Sequence, residues 1–207
     1  NGGKGSLYYQ FGRKDPFPAA TATSGTTSAA WLGTGSSTWD ITAAAYASAA
    51  SGTKTTADGV NNPMLFYEGS STYYNWCSEA QDLTYLWNDT QAALASGKKS
   101  IFDPSPAGWK LPTITANSSA GTPWHGLTAN LTSSVATFFT NAKYPANGLR
   151  YYTTGAMHYV GAYGFYWSAS PSSETYGYRM GFYSSAVFPA TNNSHRSIGL
   201  QVRPVLE

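Results

Sequence analysis

Phe165-Tyr166-Trp167-Ser168, the alternation of Tyr178, Met180 and Phe182 with Arg179, Gly181 and Tyr183, and the apolar residues Leu200, Val202 and Val205 decide the fold. Period-two alternation in aromatic and aliphatic residues is the signature of strands with one face turned to a core. Turn-forming runs at Ser170-Pro171-Ser172-Ser173 and from Phe188 to Ser194 separate the strands. The region after Tyr144 therefore reads as an antiparallel meander whose last strand reaches the C-terminus. Parity assigns Tyr166, Trp167 and Tyr178 to the core and leaves Arg179 and Tyr183 on the other face.

Upstream of the meander, Leu127, Leu131, Val135, Phe138 and Phe139 recur at spacings of three and four, which predicts an amphipathic helix over residues 127–142. Ser100 to Thr113 mixes prolines with apolar anchors and predicts an extended passage with two turns. Residues 63–90 carry Met64, Leu65, Phe66, Tyr73, Tyr74, Trp76, Leu83, Tyr85, Leu86 and Trp87, a density that belongs to the core or its rim. A first strand is expected at Leu7 to Phe11, closed by a proline-containing turn. Between them, residues 18–61 are dominated by Ala, Thr, Ser and Gly, with too few large side chains for a core of their own, and read as a surface insertion. The run Ala43 to Ala50 has helical propensity without an apolar stripe, so a short covering helix is expected there.

The 207 residues fit one domain, 1–207. Charged residues are 11% of the chain against roughly 25% in an average soluble domain, while aromatics reach 15%. Disorder is excluded by that aromatic content. With a net charge of +2 and cations scattered along the chain, nucleic acid is not an expected partner. No stretch approaches the length of a membrane span, and the first residues lack the features of a signal peptide, so an export signal would lie before Asn1. One cysteine, Cys77, allows no internal disulfide and no CxxC site.

The order Leu7-Tyr8-Tyr9-Gln10-Phe11-Gly12-Arg13-Lys14-Asp15-Pro16-Phe17, Asn62-Pro63, Trp76, Leu86-Trp87, the Phe102 to Thr113 block with its Pro106-Ala107-Gly108-Trp109-Lys110-Leu111-Pro112-Thr113, Gly164 to Ser168 and Gly199 to Val205 resembles a group of bacterial surface proteins. It is similar to the fimbrillin-associated and Fibrobacter succinogenes major paralogous domains over nearly the whole chain outside the insertion. That resemblance implies an α+β class with a C-type-lectin-like fold: paired terminal strands, two helices, and a C-terminal antiparallel β-meander whose exposed face binds ligands. The group commonly carries a Cys where Ser105 stands and another near Pro204, and loss of both together implies loss of a disulfide without loss of the fold.

Residues 150–205 also resemble the variable region of proteins diversified by retroelements, which use the same fold. In those systems, adenine mutagenesis of the template yields Tyr, Ser, Asn, His, Phe, Ile and Arg among others, and never Lys. No Lys follows Lys143. Tyr151, Tyr152, His158, Tyr163, Tyr176, Arg179, Tyr183, Phe188, Asn192, Asn193, His195 and Ile198 are the candidate ligand-binding positions. Tyr and His offer wide amphipathic contact with few rotatable bonds, and Asn adds adaptable hydrogen bonding, the mixture that binding loops favour.

Other signals point to ordinary structural roles. Trp87-Asn88-Asp89 matches a string used for calcium and sugar by animal C-type lectins, but it precedes the Leu-Pro-Thr block and has no Glu-Pro-Asn companion. His125, His158 and His195 lack zinc-ligand spacing, and Asp82, Asp89 and Asp103 form no carboxylate pair. No Gly-x-Ser-x-Gly elbow or phosphate loop is present. Formylglycine-generating enzymes share the broad fold and a similar Leu-Pro-Thr block, but they use two cysteines where this chain has Cys77 alone. The sequence expectation is a non-catalytic domain with no cofactor and no bound metal, displayed extracellularly on a bacterial surface, a pilus or a phage particle. Its partner is a protein or glycan on another surface, with a fimbrial tip or stalk subunit as the alternative.

Overall fold

The computed structural model describes residues 7–18, 30–31, 38–39, 46–47, 54–63, 66–69, 74–77, 85–88, 98–114, 120, 122–127 and 135–207. In chain order the elements are β1 (Leu7–Gln10), β2 (Phe17–Pro18), β3 (Ala30–Trp31), β4 (Thr38–Trp39), β5 (Tyr46–Ala47), α1 (Thr56–Asn61), β6 (Phe66–Tyr67), β7 (Trp109–Lys110), α2 (Val135–Ala142), β8 (Leu149–Arg150), β9 (Met157–His158), β10 (Gly164–Pro171), β11 (Tyr176–Tyr183), β12 (Ala186–His195), β13 (Gly199–Leu200) and β14 (Val205–Leu206). The described chain is mostly antiparallel sheet with few, short helices.

The expected meander is present as β10-β11-β12, with Tyr166 opposite Met180 and Tyr176 opposite His195. Its boundaries differ from the sequence reading. The second turn is Ser184-Ser185, between the paired residues Tyr183 and Ala186, and the polar run 188–194 is the third strand. Its Thr, Asn and Ser residues read as a loop by composition, yet their backbone completes the ladder of β11, and pairing outweighs weak local preference. The final strands do not extend the meander as further antiparallel strands: Gln201 makes only a parallel bridge to Tyr166, with Trp167 N donating to its carbonyl at 2.9 Å. β13 pairs with β1, bringing Tyr9 opposite Leu200, and β14 pairs with β7. A five-stranded sheet results, ordered β2-β1-β13-β8-β9, in which the first and nearly the last strands are neighbours.

The meander stands between two cores, where the alternation predicted one inner face; successive side chains of each strand point to opposite sides and both sides are covered. On one side Tyr166, Met180, Phe182 and Ala190 pack with Ile114, Trp124 and Tyr144, and Val135 and Ala142 of α2 lean against them. On the other, Phe165, Trp167 and Ala169 meet Phe11, Trp87, Leu111, Leu149, Ile198 and Leu200. Gly177 lies on this second side, where any Cβ would collide with the Phe11 ring, so the strand needs glycine for the close approach.

Three buried indoles converge on the first turn. The Nε1 donors of Trp167, Trp76 and Trp87 reach the carbonyls of Tyr9, Phe11 and Arg13 at 2.8, 2.8 and 3.1 Å. Buried aromatic N–H groups must find acceptors, and the Tyr9 to Arg13 backbone supplies them. Gln10 uses both ends of its amide, donating to the carbonyls of Tyr67 and Ser197 at 2.6 and 2.8 Å and accepting from Tyr67 N at 3.1 Å. Asp103 accepts from the backbone N–H groups of Ser105 and Leu111 at 2.7 and 3.0 Å, which folds the proline-rich passage into its turns.

Helix α2 begins at Val135; Leu127 sits in a preceding turn, and residues 128–134, with Leu131, lie outside the described residues. Within the Ala-rich run, Tyr46 and Ala47 pair parallel to Phe66 and Tyr67 instead of forming a helix. A run without an apolar stripe gives a helix nothing to bury, and strand pairing prevails. The rest of 43–50 and most of the insertion lie outside the described residues, but its end does not. α1 starts with a reciprocal capping box between Thr55 and Asp58 and buries Gly59 against Trp76. Arg13 locks it there, donating to the carbonyls of Gly59, Asn62 and Pro63 at 3.1, 3.0 and 3.3 Å.

Candidate functional site

β11 and β12 place Tyr176, Arg179, Tyr183, Phe188 and His195 along one stretch of sheet, with Tyr176 opposite His195 and Gly181 opposite Phe188. The segment from Tyr151 to Tyr163 folds beside them. Its turn is closed by Tyr151 N to the Ala156 carbonyl and Gly155 N to the Tyr151 carbonyl, both at 2.8 Å, and Tyr163 N donates to the Tyr159 carbonyl at 3.0 Å. A second segment, Tyr74 to Cys77, is pinned to the meander by Asn75 Nδ2 donating to the Glu174 carbonyl at 2.7 Å and Ser197 N donating to the Tyr74 carbonyl at 3.1 Å.

These elements assemble a continuous ribbon of rings. His195 lies 4.0 Å from Tyr74, 4.6 Å from Tyr152 and 5.0 Å from Tyr176, centroid to centroid. Tyr152 contacts Tyr151 at 4.7 Å, and Tyr151 stacks on His158 at 4.6 Å. His158 and Tyr159 are 5.9 Å apart, and Tyr159 and Tyr163 4.9 Å. Tyr163 continues to Tyr183 at 5.2 Å, and Tyr183 stacks on Phe188 at 5.8 Å. The Arg179 guanidinium joins through Phe165, sitting 4.4 Å from that ring, which itself stacks on Tyr163 at 5.6 Å. Ring pairs at these separations each contribute about 0.5 to 1.5 kcal/mol beyond burial, so the ribbon is a pre-formed surface.

Most of its members are partly buried, and Tyr159 is exposed, with a left-handed backbone at φ 60°. Burial, followed by its hydrogen bond with Tyr151 and the neighbouring tyrosines, raises the Tyr152 hydroxyl above its ordinary value, so it stays a neutral donor. Burial lowers His195 below its ordinary value, and Nδ1 of that ring is enclosed without a hydrogen-bond partner. Burial also pushes Arg179 down to about 10, so it remains charged at neutral pH. From Pro104 to the end of the chain the only acidic residues are Glu174 and Glu207, and Glu207 pairs with Lys99 at 3.1 Å. The ribbon itself contains no carboxylate.

Of the sequence candidates, Tyr151, Tyr152, His158, Tyr163, Tyr176, Arg179, Tyr183, Phe188 and His195 are brought together. Asn193 is exposed at the edge, with Nδ2 3.2 Å from Ser172 Oγ. The Asn192 backbone pairs with Arg179, while its side chain lies outside the described residues. Ile198 is a correction: it is 8% exposed and packs in the core with Phe11, Trp167 and Leu200, as a branched aliphatic side chain following the last meander strand favours. Sequence reasoning missed Tyr74, Tyr159 and Phe165. Tyr74 had a composition signal in the aromatic 63–90 segment, but nothing local tied that segment to the meander.

The remaining motifs do structural work. Trp87 is fully buried, and Asn88 is buried with Nδ2 donating to the Ala169 carbonyl at 2.6 Å; Asp82 and Asp89 lie outside the described residues. Among the described residues, no three His, Cys, Asp or Glu side chains gather as a metal site. Cys77 is buried beside Tyr67 and Trp76. No described helix is long and apolar enough to cross a membrane.

No curated protein and no solved structure matches this chain. Residues 135–205, which hold most of the ribbon and all of the meander, match the family described as "Domain of unknown function (DUF8237)".

Proposed function

We propose that the chain is a non-catalytic ligand-binding domain of the receptor-binding or adhesion class, and that the aromatic ribbon is its contact surface. The carrying observation is that nine candidate positions, picked for residue type and scattered from Tyr151 to His195, lie in one unbroken strip of ring contacts. A strip of tyrosine and histidine suits recognition of another macromolecule. The resemblance to fimbrillin-associated domains and to retroelement-diversified proteins supports a C-type-lectin-like fold and display outside a bacterial cell or on a phage. Terminal strands joined through β1 and β13, with the meander between them in the chain, are in keeping with that fold.

The test is binding of the purified chain to arrays of host proteins and glycans, alone and with Tyr152, Tyr183 and Phe188 changed together to Ala. The proposal expects signals that the triple variant loses while its far-ultraviolet circular dichroism stays unchanged. Equal binding by a folded triple variant would remove the ribbon from the account.

A further inference from the structure

A groove of about 520 Å³, bounded by β1, the turn at Pro104 and Pro106, the residues after α2 and the stretch from Gln201 to Pro204, shares no residue with the ribbon. Its cationic end is built around Arg203. The Arg203 guanidinium lies 4.1 Å from the centre of the Tyr144 ring, and its Nη1 donates to the carbonyls of Ala142 and Lys143 at 3.5 and 2.6 Å, closing the C-terminus of α2. That capping uses one corner of the fork. Nε and Nη2 have no partner among the described residues and, unlike Nη1 of Arg179, are not enclosed by protein, so one edge of a fixed guanidinium is open where Arg203 lines the groove. Lys143 lines the same groove as a second cation. It is exposed, ends α2 with a left-handed backbone at φ 60°, and its ammonium has no partner among the described residues. None of the described lining residues is acidic. Asp15 acts on the Tyr9 hydroxyl, which burial first and that carboxylate second hold above its ordinary value, but Asp15 is not in the lining.

A free Nε–Nη2 edge takes a carboxylate through two parallel N–H···O bonds, and a guanidinium already held by a ring and two carbonyls loses little freedom in doing so. The walls away from the cations are C–H surface: Pro104, Pro106, Pro145 and Pro204 carry no N–H, and Tyr9 is a partly buried ring. Backbone acceptors there are partly spent. The Pro106 carbonyl accepts from Trp109 N and Lys99 Nζ, and the Pro145 carbonyl from the Tyr166 hydroxyl. An acidic peptide would bring backbone N–H groups, which can only donate, whereas a sugar hydroxyl can accept as well. A volume of this size is that of a small-ligand site, about one or two sugar rings. We infer that the groove is a second binding site, independent of the ribbon, for a uronic acid residue of an acidic polysaccharide. Its carboxylate pairs with the open Arg203 edge beside Lys143, and its C–H face rests on the proline walls.

The experiment titrates the full chain, labelled with nitrogen-15, with trigalacturonate, trimannuronate, galactotriose and triglutamate, followed by NMR. At least one uronate should shift the Arg203 Nε–H resonance and the amides of Lys143 and Arg203. Galactotriose, which lacks the carboxylates, and triglutamate, which lacks the rings, should bind at least about tenfold more weakly. Lys143→Gly suits the left-handed backbone, so Tm should not fall, while loss of an exposed charge should weaken uronate binding about two- to fivefold. Arg203→Lys keeps the charge without the fork and should weaken it about tenfold. No shift of Arg203 by either uronate, binding of triglutamate or galactotriose as strong as that of the uronates, or undiminished affinity in Lys143→Gly or in a folded Arg203→Lys would each overturn the inference. The ribbon variant with Tyr152, Tyr183 and Phe188 changed to Ala should bind uronate as the native chain does; loss of binding there would place the sugar on the ribbon and overturn the second site.

Discussion

Replacing Ile198 by Ala and, separately, Phe188 by Ala separates core from contact surface, because the two side chains belong to the same sequence region and to opposite environments. Ile198 is 8% exposed and packs with Phe11, Trp87, Trp167 and Leu200. Truncating such a residue costs about 2 to 5 kcal/mol through lost transfer energy and the cavity left among rigid aromatic neighbours. Phe188 is partly exposed, faces Gly181 across the sheet and touches Tyr183 at 5.8 Å. Its loss removes one ring stack and part of its burial, about 1 to 1.5 kcal/mol. For a chain of this size each kcal/mol moves Tm by about 2 to 4 °C. Differential scanning calorimetry should therefore show Ile198→Ala melting roughly 4 to 20 °C lower and Phe188→Ala only about 2 to 6 °C lower. A Phe188→Ala loss equal to that of Ile198→Ala would refute the division of the C-terminal region into a buried seam and a reachable strip.

Arg13→Lys should lower the urea midpoint, with a cost of about 1.5 to 3 kcal/mol, because an ammonium cannot reach the three carbonyls at the end of α1 while also facing Phe17, Tyr67 and Trp76; an unchanged midpoint would show that Arg13 does not hold the helix. His195 gives a pH effect of defined sign. Burial among Tyr74, Tyr152 and Tyr176 lowers its folded pKa, so the unfolded chain takes up its proton first, below about pH 6.5, and stability falls as pH drops from there toward the folded value. Between about pH 7.5 and pH 5, Tm of the native chain should fall more than that of His195→Phe; parallel curves would show that His195 is not desolvated.

Local alternation was enough to reveal the meander and the shared core face of Tyr166, Met180 and Phe182, but not that the opposite face is buried too: Trp167 packs there, with Arg179 directly opposite it instead of on a separate outer face. What composition could not reveal was pairing at a distance. The polar strand from Phe188 to Ser194 looks like a loop until β11 is laid beside it, and Leu200 and Val205 look like further meander strands until β1 and β7 claim them. The same holds for the site. Residue type marked Tyr152, Tyr183 and His195, but Tyr74 enters the ribbon because its carbonyl accepts from Ser197 and the next residue, Asn75, donates to the Glu174 carbonyl, contacts that no local pattern encodes. Ile198 failed for the converse reason: a permitted residue type in a suspected variable region says nothing of burial, and its neighbours Ser197 and Gly199 carry it into the core.

The central claim is that the ribbon touches the partner, and covalent footprinting of its tyrosines tests that contact directly. The chain would be nitrated by tetranitromethane alone and in complex with a binder taken from the array, and labelled sites quantified by mass spectrometry. The account predicts that Tyr151, Tyr152, Tyr163, Tyr176 and Tyr183 are protected in the complex while Tyr85, which lines a groove away from the ribbon, is labelled equally in both. Protection of Tyr85 with unchanged labelling of the ribbon tyrosines would contradict it.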